Sequence, residues 1–262
     1  MMTELSDKQI ERYLMRIGLG GPLPSTAQTL SAIQWAHLHT VPFENLEICP
    51  LDRRFTLDIP AVYEKVVERN RGGFCFELNG LLAVLLESLG FEVNRMAAHF
   101  ADAADPDPFD HLVLDVTVPT DGSRWYADVG AGRTNPDRAI PIDGISAEGQ
   151  RRVHLVDGQW VAERVDEDGS WTPILSWGPE VHELGAFMPR CTYFQTHPDS
   201  FFRSGAMCSM LVAGGRATLV KRTLITTING EREERELAAN AQIADALRSI
   251  FGIEIPVDDR WR

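Results

Sequence analysis

Arg71-Gly72-Gly73-Phe74-Cys75-Phe76-Glu77-Leu78-Asn79-Gly80 is the stretch that decides the fold, and it runs directly into the apolar residues at 81–86. The two glycines allow the backbone a close approach that side chains would prevent. Apolar residues at 78, 81, 82, 85, 86 and 89 recur with helical spacing, and Gly90 is suited to end such a helix. Cys75 is therefore predicted at or just before the start of a buried helix, where backbone N–H groups favour a thiolate.

The same segment also has a simpler interpretation. Free cysteines are among the most buried residue types and behave as small apolar side chains. On this segment alone, packing is the more frequent role for a residue such as Cys75. A catalytic role needs a base, and a group that orients the base, elsewhere in the chain.

Composition restricts the class of protein. Of the 262 residues, 44% are hydrophobic and 24% are charged, which is typical of a soluble globular chain. The net charge of −13 argues against a nucleic-acid partner, although local groups can still hold an anionic cofactor. No apolar stretch approaches the ~20 residues that span a bilayer, so we expect no membrane partner.

The cysteines indicate neither a metal site nor a disulfide framework. Cys49, Cys75, Cys191 and Cys208 form no C-x-x-C pair and no zinc spacing. The N-terminal residues lack the basic and apolar regions of a signal peptide. We therefore expect a cytoplasmic protein with free thiols and no bound metal. The sequence leaves open whether the protein is a homodimer.

Residues 1–90 have mainly helical periodicity. Helices are predicted over 6–17, from Ser25 or Thr26 onward, and over 59–70. Between the last two, residues 41–46 are predicted to be irregular, because a proline prevents a continuing helix.

From residue 91 the period changes to two. Residues 91–190 are predicted to form a small antiparallel β-barrel or sandwich. Residues 191–262 combine strands, a hairpin signal at Asn229-Gly230 and an amphipathic helix over 239–251. The chain is thus predicted to have an α+β fold in three parts.

His111 and Asp128 are the candidates for the base and its orienting group. His111 opens one predicted strand, and Asp128 ends the next. If residues 119–122 form a four-residue loop, position 113 lies opposite Asp128, and His111 is a diagonal neighbour on the same face. Such neighbours are ~7–8 Å apart at the backbone, within reach of long side chains. A loop one residue longer would put the two on opposite faces, so the spacing permits the pair without proving it.

Four blocks of this sequence resemble the arylamine N-acetyltransferase family. The segment at 71–79 resembles that family's catalytic cysteine motif, and Val41-Pro42-Phe43-Glu44-Asn45-Leu46 resembles its second signature. Asp110-His111-Leu112 and the segment at 125–130 resemble its histidine and aspartate motifs. The blocks occur in order along essentially the whole chain.

The resemblance implies a catalytic triad of Cys75, His111 and Asp128. It also implies a helical bundle (1–90), a central antiparallel β-barrel (91–190) and an interdomain segment with an α/β lid (191–262). The implied reaction is ping-pong: the cysteine takes the acetyl group from acetyl-CoA, and an aromatic amine or hydrazine then accepts it.

Further site residues follow from the resemblance and from residue type. Gly130, Gly132 and Thr134, in a short glycine-rich loop, are candidates for contact with CoA. Phe43 and Phe74 are candidates for an apolar pocket suited to an aryl ring. At Ala131 the family frequently has phenylalanine, so the acceptor pocket is expected to be larger. Glu44, Asn45 and Arg71 are expected to form a buried polar network that supports the cysteine loop.

Three other functions remain open on the sequence. An amide synthase that closes a macrolactam or releases a polyketide shares the fold and triad, and Ala131 keeps that alternative open. A papain-like or transglutaminase-like thiol hydrolase uses the same Cys, His, Asp order, but the segment at 41–46 argues against it. A non-catalytic protein that binds acyl-CoA or an aromatic ligand is the last alternative.

Overall fold

The helices pack against two antiparallel sheets, in the α+β class that the sequence predicts. The computed structural model describes residues 4–103 and 106–261. Within them the α-helices are α1 (Asp7–Arg16), α2 (Ala27–Leu38), α3 (Ile59–Tyr63), α4 (Cys75–Ser88), α5 (Met188–Thr196) and α6 (Asn240–Phe251). A π-helical turn, Glu64–Glu68, continues α3, so the third predicted helix is correct in place but not regular throughout.

The larger sheet has eight strands in the order β5-β4-β3-β2-β9-β8-β7-β6. They are β2 (Glu92–Phe100), β3 (His111–Thr117), β4 (Arg124–Ala127), β5 (Ile140–Pro141), β6 (Gly144–Ile145), β7 (Arg151–Val156), β8 (Gln159–Val165) and β9 (Trp171–Val181). The edge strand β5 also contacts β6 and β7 at the opposite edge. The sheet is therefore a nearly closed barrel, as predicted for this part of the chain.

The smaller sheet has five strands in the order β1-β10-β11-β12-β13. They are β1 (Phe43–Glu44), β10 (Met207–Val212), β11 (Gly215–Val220), β12 (Thr223–Ile228) and β13 (Glu231–Glu236). Asn229 and Gly230 have positive φ between β12 and β13, which confirms the predicted hairpin.

The prediction that residues 41–46 are irregular is wrong at Phe43 and Glu44. These two residues form β1 and pair with Ser209 and Cys208 of β10. Pro42 still prevents a helix there, but the extended backbone that results can join a sheet edge. The N-terminal part of the chain thereby contributes a strand to the C-terminal sheet.

Helix α4 is the centre of the core. All its residues from Cys75 to Leu86 are buried, and it packs against α1, α3, β2 and β3. The predicted close approach before it is confirmed: a Cβ on Gly72 would lie 2.0 Å from the carbonyl oxygen of Pro42. After the helix, Gly90 has a φ of 89°, the left-handed conformation expected just beyond a helix end.

Candidate active site

Cys75 is the first residue of α4, and buried charges hold the start of that helix. The carboxylate of Glu77 accepts a hydrogen bond from the backbone N–H of Phe74 at 2.9 Å. Lys65 Nζ donates to the two oxygens of Glu77 at 3.0 and 2.9 Å, and both side chains are buried. The first turn is therefore capped and charge-balanced, which positions the thiol.

His111 and Asp128 meet as the predicted register requires. Leu114 pairs with Ala127, and the N–H of Val118 donates to the carbonyl oxygen of Ser123 at 2.9 Å. The loop therefore has the length assumed from the sequence. His111 Nε2 lies 2.8 Å from Asp128 Oδ2, with both side chains buried.

Asp128 receives three further hydrogen bonds. Tyr126 Oη donates to Oδ2 at 3.0 Å, and Asn79 Nδ2 and the backbone N–H of Gly130 donate to Oδ1 at 2.8 and 2.7 Å. Burial alone would raise the pKa of this carboxyl, but His111, Asn79 and the N–H of Gly130 outweigh burial and lower the pKa. Asp128 is thus held as a carboxylate beside the imidazole.

The surroundings of the Cys75 thiol, in contrast, disfavour its charged form. Burial raises its pKa well above the ordinary value; Cys191 and Asp128 add to that rise, and the N–H of Phe76 opposes it. An isolated thiolate is therefore disfavoured here, and a proton acceptor close by is needed to form one. His111 lines the same cavity as Cys75, and its Nδ1 is the ring nitrogen that Asp128 leaves for a second partner.

Cys75 and His111 open into a cavity of about 640 Å³ between the barrel, the small sheet and α5. Aromatic rings and guanidinium groups outnumber carboxylates on its wall, which includes Phe43, Phe100, Phe194, Phe201, Phe202, Arg133, Arg216, Arg232, Asp102 and Asp110. The cavity can therefore hold a ligand that combines an aromatic or apolar part with negative charge.

Most of the predicted contact residues lie on this wall. Phe43, Gly130, Ala131, Gly132 and Thr134 all line the cavity.

Phe74 does not, and its predicted place in the pocket is corrected. Its ring is fully buried behind Phe43 and Phe202, with centroids 5.8 and 4.5 Å away. As the residue before α4, it faces the core and not the ligand space.

Gly130 has a structural reason to lack a side chain. A Cβ at this position would lie 2.7 Å from the Cα and 3.0 Å from the Cβ of Cys75. The loop after Asp128 therefore packs directly on the start of α4. Gly132 differs, because a Cβ there would meet nothing within 4 Å.

The expected polar network is confirmed for Glu44 and Arg71. Arg71 donates from Nε and Nη2 to the two carboxylate oxygens of Glu44 at 2.8 and 2.9 Å, and from Nη1 to Glu47 at 3.0 Å. Asn45 acts elsewhere: its side chain donates to the carbonyl oxygens of Phe202 and Gly205. Asn45 thus fixes the segment that leads into β10.

Sequence reasoning missed Asn79 and Tyr126 as partners of Asp128. A signal existed for both, since Asn79 is one helical turn after Cys75, and Tyr126 shares a strand face with position 128. Arg216 had no comparable signal, because its strand is far from the other site residues in the sequence.

The described part of the chain contains neither a cluster of metal ligands nor a helix that could span a membrane. Outside positions 1–3, 104, 105 and 262, no group of three or more His, Cys, Asp or Glu residues is placed to hold a metal ion. Over the same part of the chain, no helix has the length and apolar character needed to cross a bilayer.

Known proteins resemble this chain along almost its whole length. The profile of the N-acetyltransferase family matches residues 26–260. The arylamine N-acetyltransferase of Mycolicibacterium smegmatis is 35% identical over 257 residues, covering 93% of this chain and 91% of the relative. A solved structure of the M. smegmatis arylamine N-acetyltransferase has a TM-score of 0.85 at 32% identity, covering 94% of this chain and 92% of its own. The Mycobacterium marinum arylamine N-acetyltransferase in complex with CoA has a TM-score of 0.83 at 27% identity, covering 93% and 92%.

Proposed function

The chain belongs to the arylamine N-acetyltransferase family, and from that premise we propose that it moves an acetyl group from acetyl-CoA to the nitrogen of an arylamine or arylhydrazine. The observation that carries this proposal is the placement of Cys75. It stands at a helix N-terminus and shares a cavity with His111, which Asp128 holds at 2.8 Å.

In the first half-reaction, the proton of the Cys75 thiol moves to His111, and Sγ attacks the carbonyl carbon of the acetyl thioester. The bond from that carbon to the CoA sulfur breaks, and the departing sulfur takes the proton back from His111. Asp128 fixes the ring and stabilises the imidazolium between these transfers. The acetyl group is then a thioester on Cys75.

In the second half-reaction, the amine nitrogen attacks the acetyl carbon, and the bond from that carbon to Cys75 Sγ breaks. The nitrogen loses its extra proton by way of His111, and Sγ ends as a thiol. The N–H of Cys75, free of a helical acceptor in the first turn, and one from the strand near His111 are the expected donors to the oxyanion.

The cavity fits CoA as the acetyl donor. Gly130, Gly132 and Thr134 lie on its wall, and the space at Gly132 is open. Arg133 on the same loop is exposed and offers positive charge to phosphate groups at the mouth. We propose that this loop contacts CoA.

The amide synthase alternative has less support. Its main argument was Ala131, which lines the cavity and leaves it wide. The relatives described above are named as arylamine N-acetyltransferases. The hydrolase and binding-protein alternatives have less support for the same reason, because these relatives are acetyltransferases.

One experiment tests the proposal. Wild-type protein is mixed with acetyl-CoA alone, and we expect mass spectrometry to find one acetyl group on Cys75. Adding an arylhydrazine should discharge it and sustain the release of free CoA. Cys75→Ala should do neither, whereas Cys208→Ala, which removes a buried thiol of the small sheet, should retain both activities. Turnover by Cys75→Ala would overturn the proposal.

A further inference from the structure

Arg216 extends from the small sheet into the cavity that contains Cys75. It alternates along β11 with Thr218 and Val220, and these three residues line the cavity from one face of the strand. On the neighbouring strand, Ser209 lies opposite Thr218, and its Oγ accepts a hydrogen bond from Arg216 Nη1 at 3.2 Å. The guanidinium is thus held over Ser209.

The charge of Arg216 has no ion-pair partner in the parts of the chain that the structure describes. Asp137 attracts the guanidinium but is too far away to form an ion pair with it, and Arg151 repels it. Arg232 also lines the cavity, but it pairs with Glu234. Arg216 is half-buried, in a chain with 38 acidic residues. Since withdrawing an unpaired charge from water is costly, this position is suited to an anion from outside the protein.

An aromatic surface lies directly beside that charge. Phe43 pairs with Ser209 across β1 and β10, and both side chains line the cavity. Directly opposite residues on antiparallel strands are about 4.5–5.5 Å apart. Phe43 also bridges to Gly73, two residues before Cys75. Neighbouring strands of the cavity wall therefore present an aromatic ring, a hydroxyl and a guanidinium next to one another.

We propose that Arg216 selects acetyl acceptors that carry a carboxylate on the aromatic ring, such as an aminobenzoate. The aryl ring packs on Phe43, and the carboxylate receives hydrogen bonds from Arg216 and Ser209. A guanidinium can donate two parallel N–H bonds to a carboxylate, which fixes the orientation of the ring and also strengthens its binding. The proposal rests on the acetyl-transfer function described above and names its acceptor class.

The phosphates of CoA are a second source of negative charge. They are several, bulky and strongly hydrated, and the exposed guanidinium of Arg133 on the glycine-rich loop suits them. Arg216 is less exposed and faces the aromatic wall, so a single carboxylate on a flat ring fits it better.

Ping-pong kinetics separate the two sources, because kcat/KM for each substrate reports only its own half-reaction. We compare 4-aminobenzoate with its uncharged analogue 4-aminobenzamide as acceptors for wild type, Arg216→Met and Arg216→Lys. Arg248→Met is the matched control, since it removes a guanidinium of α6 that pairs with Asp245 and is not part of the cavity wall. The value of kcat/KM for acetyl-CoA is measured for each protein.

Arg216→Met should lower kcat/KM for 4-aminobenzoate by about 10- to 100-fold, the usual effect of losing a charge-assisted hydrogen bond. It should leave the benzamide and acetyl-CoA values within about twofold, and activity on the benzamide shows that the variant is folded. Arg216→Lys should restore part of the loss, and Arg248→Met should show none.

Equal losses on both acceptors, or a loss confined to acetyl-CoA, would overturn the role of Arg216. The second result would assign it to the CoA phosphates. If wild type acetylates the benzamide but does not prefer the benzoate, this inference fails while acetyl transfer stands. If wild type releases no CoA with either acceptor or with an arylhydrazine, the proposed function itself fails.

Discussion

Asn79 Nδ2 donates a hydrogen bond of 2.8 Å to Asp128 Oδ1, which ties the helix of the cysteine to the end of β4. The same amide nitrogen donates to the carbonyl oxygen of Leu112 at 2.6 Å, and its oxygen accepts from the N–H of Val129 at 2.9 Å. One side chain thus sets the distance between α4 and both strands that supply His111 and Asp128.

Replacing Asn79 by alanine should therefore reduce activity, because α4 and the strands that carry His111 and Asp128 would shift relative to one another. We expect kcat/KM to fall by up to about 100-fold, as small displacements of reacting groups can do. The pH dependence of Cys75 alkylation should move toward that of an ordinary buried thiol. Stopped-flow alkylation with iodoacetamide measures this, and an unchanged profile would show that Asn79 does not position the site.

Asp128→Asn should remove the charge that stabilises the imidazolium while leaving the side chain nearly unchanged in shape. In triads of this kind, such a change lowers kcat by about 10⁴-fold. Asp115→Asn is the control, because Asp115 is also a buried aspartate between the same strands but pairs with Arg124. Similar rates for both variants would contradict the role of Asp128.

Gly130→Ala should damage the site although it adds one methyl group. Its Cβ would lie 2.7 Å from the Cα of Cys75, so backbone must move. We expect a loss of about 1–3 kcal/mol in the free energy of unfolding, together with slower acetylation of Cys75. Gly20→Ala is the control, because nothing lies within 4 Å of a Cβ there. Equal stability and equal rates for the two variants would refute the close packing.

Ala131→Phe should narrow the acceptor range. The side chain lines the cavity, and a phenyl group would occupy space that a large acceptor needs. We expect kcat/KM to fall more for 2-aminofluorene than for 4-methylaniline in Ala131→Phe, whereas Ala131→Ser, which adds only a hydroxyl group, should keep the wild-type ratio. If the ratio of the two acceptors is the same in all three proteins, Ala131 does not set pocket size.

The buried pair of Glu44 and Arg71 should make stability depend on pH. Burial raises the pKa of Glu44, but Lys65 and Arg71 outweigh it, and the pKa in the folded state is lowered. The unfolded carboxyl has a pKa of about 4.3. The stabilisation is therefore complete above that pH and is lost as the pH falls through the lower folded pKa. Glu77, whose pKa is raised, contributes the opposite slope.

Urea unfolding of wild type and Glu44→Gln from pH 3 to pH 7 measures this contribution. We expect the variant to be less stable by about 3–5 kcal/mol at pH 7, because it leaves part of a buried charge unpaired. The two curves should converge as the pH falls below about 4.3. Parallel curves would show that the carboxylate of Glu44 has no linked proton.

The sequence alone determined the features that depend on local spacing. Helical periodicity and two flanking glycines placed Cys75 at the start of α4, and the structure confirms that position. The four-residue turn after Val118 determined that His111 and Asp128 share a face. Such predictions succeed because side-chain direction repeats with a known period along a helix or strand.

Tertiary structure alone decided which distant segments meet. Nothing in residues 41–46 revealed that Phe43 pairs with Ser209, and nothing in the cysteine motif revealed that Phe74 turns away from the cavity. The place of Arg216 beside that aromatic wall depends on the same pairing. Pairing between remote strands is set by how the whole core packs, so the charge that faces the ligand could be read only from the folded chain.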